Sequence, residues 1–459
     1  SVRMNPTTFG ALPSSACTPA STGAFGPDRI SQNVYDAADQ LTSTIEAMGT
    51  PVQRTALTQT WTANGKVDWV EDALGNRSDY AYDGFDRLQR LYFPLPTVGA
   101  HAANPADYEA YEYDAADNPT AKITRAGLSF VTSFDRLNRI SVIDAPGVDI
   151  ERAFSYDNLD RRTAAWRPGI ANTTTSTGWD ALGRQTSDTS ALGAMTMQYD
   201  LAGRRTRLTW PDAVYVSYAW DLDNQMRSIT EGAAANPITA YAYDDLGRRT
   251  GITRGNGAAT TYGWDNASQL TALDQNPTGT AHDLALGFSW SPAGQMVGRT
   301  ASNPVYDYVP AAITAAYVNN GLNQSTTVAG STLTWSVQGN LTSDGTRTFN
   351  YDAANRLTGT TGSVLTYDAL DRLVEKTGTA GGRFQYDGSQ LATAYNSLGE
   401  VTERYISGPG EDEWAAQYIG SVVTSPIWPL QNHQALVIAL TDATAAGTAT
   451  LAYDEYGRA

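Results

Sequence analysis

The chain has little with which to build a cross-link or a metal centre. Of its 459 residues one is cysteine, Cys17, and three are histidine, His101, His282 and His433, scattered along the sequence. A disulfide framework within the chain and a Cys/His metal cluster are excluded, and neither metal nor cofactor is expected. Long apolar runs are missing as well. The longest, Ala435 to Leu440, falls far short of the roughly 20 residues that span a bilayer. Basic residues are scarce, 31 Lys and Arg against 48 Asp and Glu, for a net charge of −17. That balance repels phosphates and anionic headgroups, so neither nucleic acid nor an anionic membrane surface is an expected partner. The opening Ser1-Val2-Arg3 lacks the basic start and apolar core of a signal peptide, and the chain is read as part of a longer polypeptide.

What the chain does have is aromatic residues and turns. A hydrophobic content of 41% excludes a disordered polymer, and 25 Tyr and 11 Trp stand out for a globular chain. Many of these aromatics recur in one short unit. It appears twice in quick succession, as Tyr351-Asp352-Ala353-Ala354-Asn355-Arg356-Leu357 and Tyr367-Asp368-Ala369-Leu370-Asp371-Arg372-Leu373. The other copies begin at Tyr35-Asp36, Tyr82-Asp83, Tyr113-Asp114, Phe134-Asp135, Tyr156-Asp157, Trp179-Asp180, Tyr199-Asp200, Trp220-Asp221, Tyr243-Asp244, Trp264-Asp265, Tyr386-Asp387 and Tyr453-Asp454. In the middle of the chain they return every 20 to 23 residues, a period that marks stacked repeats.

Each unit reads as a β-hairpin corner. An Asp at the first turn position can accept hydrogen bonds from backbone N–H groups just beyond it. Three residues later the chain must bend back through a left-handed conformation, which Gly reaches freely and Asn or Asp tolerate. Gly183, Gly203, Gly247, Asn138, Asn355 and Asp371 stand there and are expected at positive φ; Ser268 is the one such residue without a rationale. The strands show period two, as in Val214, Val216, Tyr218 and Trp220, and a large residue often stands two before the motif aromatic, so one sheet face is aromatic-rich. Turn signals at the opposite ends, such as Asp72 to Asn76, Pro211-Asp212 and Asn256-Gly257, make the whole a meandering antiparallel ribbon. Such a ribbon has no second layer unless it curls on itself or on a guest.

These units, repeated in register from about Ile30 to Arg458, resemble those of the YD-repeat proteins: bacterial Rhs proteins, the C component of insecticidal toxin complexes, and animal teneurins. The resemblance implies an all-β fold of antiparallel hairpins wound spirally into a large hollow shell, which encloses a toxic C-terminal domain or serves as a cell-surface scaffold. Arg404 to Glu413 is similar to the end of the Rhs core. Asn432-His433-Gln434 resembles its Asp-His-Gln-Gly-Ser element, with Asn432 for Asp and Ala435-Leu436 for Gly-Ser. The family's plug and self-cleaving aspartyl protease segment are not in this sequence.

Three regions follow: an irregular lead-in over 1–33, the repeat shell over 34–404, and an Rhs-core end over 405–459. The function expected is encapsulation and presentation of a C-terminal toxin or effector by a secreted or cell-surface polypeptide, without catalysis of its own. A secretion-system component is a further expected partner. The alternative is a carbohydrate-binding or adhesive scaffold, since Tyr and Trp also stack on sugars. Third stands a polysaccharide-cleaving enzyme, whose sign would be one repeat with Tyr, His and Arg converging in a cleft. The motif Asp residues are read as turn caps rather than catalytic carboxylates. Arg184, Arg248 and Arg356 are read as stacking on aromatics or pairing with a turn Asp, and His433 near Asp442 as structural.

Overall fold

The computed structural model describes residues 15–16, 18–20, 22, 26–146, 151–308, 316–378, 380–410, 412–420 and 426–453. Among them every regular element is a β-strand except one 3-10 turn, Pro304–Tyr306, and every strand pair is antiparallel. Cys17 and the last copy's Asp454 lie outside the described residues. No helix among the described residues is long and apolar enough to cross a membrane.

The chain divides into two compact units. The first comprises residues 1–151, 291–295 and 313–361. From Gln32–Tyr35 to Ile140–Asp144 each of its strands pairs with the next in sequence, and short hairpins follow between Tyr317 and Thr360. Consecutive pairing is what short corners at both ends of each strand dictate. This sheet has little core. Its buried apolar side chains among the described residues are Ile30, Ala110, Ala121 and Ala145, while Trp69, Tyr80, Tyr92, Tyr108 and Tyr111 stay partly exposed.

The second unit comprises residues 152–290, 296–312 and 362–459. A first run of strands, Arg152–Tyr156 to Met296–Ala301, meanders in the same way, and a second run extends from Ser363–Tyr367 to Gly447–Thr450. Here the alternation read from the sequence has a partner to bury against. Val216 and Tyr218 are buried in the strand Tyr215–Trp220, with Val214 and Trp220 packed beside them. Together with Met195, Leu208, Ile229 and Ile252 they meet Ile406, Ala416, Tyr418 and Trp428 of the second run. A second cluster joins Leu273, Leu284, Leu286 and Phe288 to Leu430, Ile438 and Ala439. Each Val, Leu or Ile so covered contributes about 1.5–3 kcal/mol. In this unit, then, the ribbon's apolar face is covered by the chain's own later strands.

Candidate functional site

The corner at Asp180 shows how the motif works. The Asp180 N–H donates to the Arg184 carbonyl at 2.9 Å, and the Gly183 N–H to the Asp180 carbonyl at 3.1 Å. One carboxylate oxygen accepts from the backbone N–H of Leu182 and of Arg184, both at 2.9 Å. The other accepts from Arg184 Nε at 2.7 Å. Gly183 sits at φ 80°, and the strand register shifts at Trp179, which faces Gln185. The result is a tight turn closed by a left-handed residue and a one-residue bulge. Carboxylate bonds to the N–H groups two and four residues on recur at Asp36, Asp83, Asp114, Asp135, Asp157, Asp200, Asp221, Asp244, Asp265, Asp352 and Asp368. At Asp83, Asp135 and Asp157 the hydrogen bond from the motif Arg holds the carboxyl below its ordinary range.

The aromatic and the Arg act on the neighbouring repeat. A bulge leaves a carbonyl without its ladder partner. Tyr199 Oη donates to the Gln185 carbonyl at 2.7 Å, and Gln185 is the residue opposite Trp179 across the register shift. Likewise Trp179 reaches Arg162, Trp220 reaches Arg205, Trp264 reaches Arg249, Tyr82 reaches Val67, Tyr113 reaches Leu88 and Tyr386 reaches Leu373, at 2.7–2.9 Å. Arg Nη1 points the opposite way, forward along the chain. From Arg87, Arg161, Arg184 and Arg248 it donates to the carbonyl of the next motif Asp, at 3.0, 2.7, 2.8 and 2.8 Å. The same guanidinium lies over the next aromatic, 5.0 Å from the ring centre for Arg184 on Tyr199. Tyr and Trp therefore serve where Phe134, which has no donor, cannot make the bond.

A cleft of about 500 Å³ opens in the second unit between strands of its two runs. Tyr241, Tyr243, Tyr262 and Trp264 line it from the first run, Trp414 and His433 from the second. Arg249 Nη1 meets Glu413 Oε2 at 2.8 Å, and Glu413 also accepts from the Gly410 N–H. Arg254 is buried, with Nη1 2.8 Å from Thr260 Oγ1 and Nε 3.2 Å from the Pro429 carbonyl, and burial pulls its pKa down to about 10. Burial also raises the Tyr241 phenol well above its ordinary value and lowers His433. Tyr, His and Arg thus share a cleft, but from several repeats of the two runs and not from the single repeat that the third reading expects. Asp442, however, is taken by its own turn, accepting from the Thr444 and Ala446 N–H groups and the Thr444 hydroxyl. No cluster of His, Cys, Asp and Glu among the described residues could hold a metal.

The RHS repeat family model matches residues 179–214, which contain the corners at Asp180 and Asp200. The structure of the Photorhabdus luminescens Tc holotoxin pore with a TccC3 mutation is similar at a TM-score of 0.69 and 12% identity, over 94% of this chain and 27% of that one. An RHS repeat is thus matched over those residues, in a chain whose fold is similar to that of the toxin assembly. The crystal structure of TcdB2-TccC3-TEV is similar at a TM-score of 0.61 and 12% identity, over 93% of this chain and 28% of that one. These likenesses show the fold, the all-β YD-repeat shell class expected from the sequence. The chain spans little more than a quarter of the length of either structure. No curated protein sequence matches it.

Within the YD-repeat pattern some residues depart from their expected places. Asp387 makes no turn bond among the described residues; a two-residue turn with Gly388 at φ 64° joins it to Gln390, too short to need a cap, and its carboxylate instead meets Arg205 Nη1 at 2.6 Å. Other residues make the corner without the Tyr-Asp signature. Asp72, Asn320, Asn396 and Asn432 each accept from the N–H groups two and four residues on. The Asn432-His433-Gln434 element is thus a corner itself, with Ala435 at φ 61° where the Rhs core has Gly. The signal that finds them is Asp or Asn three residues before Gly, Asn or Ala. Ser268 does stand at φ 60°, and its hydroxyl accepts from Arg248 Nη1 at 3.3 Å, as Asp117 accepts from Arg87 at 2.8 Å.

Proposed function

We propose that this YD-repeat chain forms part of the wall of a shell that encloses and presents a C-terminal toxin or effector, within a longer secreted polypeptide. The observation that carries the reading is the unlike finish of two ribbons built from the same corner. In one unit the aromatic face is covered by later strands of the chain. In the other it has almost no buried side chains and keeps its aromatics partly exposed. A single sheet with an uncovered aromatic face is suited to a guest. The toxin assemblies to which the fold is similar support a guest of that kind. The motif carboxylates, committed to turns, favour a scaffold over a catalyst.

Small-angle scattering on the isolated chain tests the proposal. A compact 459-residue domain has a radius of gyration of roughly 23 Å. A wall wound around enclosed space exceeds that value, with a distance distribution shifted outward. A radius at the compact value with the distribution of a solid globule would sink it.

A further inference from the structure

The cleft between Tyr241 and Trp414 is built more like a receptor than like a seam. Tyr241 is only 5% exposed, and its hydroxyl is buried without a hydrogen-bond partner among the described residues. His433 Nδ1 is in the same condition on the opposite wall. A buried hydroxyl left unpaired costs about 1–3 kcal/mol, so two such groups lining one cavity are a deficit that a bound polar molecule could relieve.

The charges add a second deficit. Arg249 is neutralised by Glu413 at 2.8 Å. Arg254 is 6% exposed and meets only neutral acceptors, the Thr260 hydroxyl and the Pro429 carbonyl, through Nη1 and Nε. Glu413 acts on its charge from a distance, but no carboxylate lies within ion-pair contact of it among the described residues. A buried cation with no anion in contact is costly, and a carboxylate seated on it would offset that cost. The rest of the lining mixes aliphatic side chains, Ile252, Leu270 and Leu273 among them, with aromatic ones. Trp264 has already given its N–H to the Arg249 carbonyl and offers ring carbon, and Trp414 is 37% exposed.

We propose that this cleft binds a sugar acid, a pyranose ring carrying one carboxylate. The carboxylate meets Arg254, the ring hydroxyls meet Tyr241 and His433, and the C–H faces of the ring lie on the tryptophans. Such a ligand is polar at its rim and apolar on its faces, as the walls are. A volume of about 500 Å³ lies within the range of small-molecule sites. Glu413, already held by Arg249 and the Gly410 N–H, excludes a second negative charge from that side.

The test is calorimetric titration of the full chain with D-glucuronate, D-glucose and acetate, backed by tryptophan fluorescence. Glucuronate is expected to bind saturably, with glucose and acetate each about tenfold weaker or worse, a difference of about 1.4 kcal/mol. Tyr241→Phe should weaken glucuronate about fivefold or more while melting no lower than the parent, because it deletes an unpaired buried hydroxyl. Trp414→Leu, at a partly exposed position, should weaken it as well without loss of fold. Acetate binding as tightly as glucuronate would overturn the sugar, and glucose binding as tightly would overturn the charge. No saturable heat with folded protein, or full affinity in Tyr241→Phe, would overturn the site itself.

Discussion

At the scale of the residue, the YD pair divides its labour between two repeats. Asp closes its own corner, while Tyr or Trp repairs the bulge of the hairpin before it. Tyr199→Phe keeps the ring on Arg184 and removes only the bond to the Gln185 carbonyl at 2.7 Å. We expect it to lower stability by about 1 kcal/mol, read by urea denaturation, because that carbonyl loses its donor. An unchanged midpoint would mean that water replaces the hydroxyl at no cost. The Asp half of the pair was legible in the sequence, because a cap and a left-handed residue are chosen by backbone atoms a few positions away. The aromatic half was not. Tyr199 and Gln185 are 14 residues apart, and nothing in either residue type announces a bond between them.

At the scale of the element, each corner is a small electrostatic lock. The carboxylates of Asp83, Asp135 and Asp157 sit below their ordinary pKa because their Arg partners, and then backbone N–H groups, prefer them charged. The sign follows from linkage. Below the usual Asp value of about 3.9 the unfolded chain takes up these protons more readily than the folded one, so their stabilisation is whole above that pH and fades as pH falls through the lower native values. Melting temperatures followed from about pH 6 downward should therefore stay level and then drop below about pH 4. A melting temperature that rises in acid would contradict the lock. Sequence reading located the strands through these corners, and period two identified the buried face of Tyr215–Trp220. It could not foresee Asp387 meeting Arg205 or Glu413 meeting Arg249, because 182 and 164 residues separate those partners. Long-range pairs depend on how the two runs of strands are laid together, which no local pattern encodes.

At the scale of the whole molecule, one motif supports two kinds of architecture. In the unit of residues 152–290, 296–312 and 362–459 the two runs share apolar clusters, whereas the unit of residues 1–151, 291–295 and 313–361 relies on ladders, corners and cross-repeat bonds. Opening free energy follows buried contacts. Hydrogen exchange read by mass spectrometry should accordingly find amides of Arg54–Trp61 and Arg77–Tyr82 exchanging faster than those of Tyr215–Trp220 and Trp414–Ile419. Equal protection in the two sets would show that the ladders alone set local stability. The sequence did not announce this contrast, because the corners are alike in both units and only the second run of strands distinguishes them.

Where the cross-repeat bonds form, the aromatic donor runs backward along the chain and the Arg donor runs forward. A hairpin is thus a part with a plug on one flank and a socket on the other, and neighbouring parts join in one order only. Gene-level change in such a ribbon is quantised. A duplication or loss that takes a whole corner with its aromatic and its bulge leaves every junction matched, while a slip of a single residue strands a carbonyl on one side and a hydroxyl on the other.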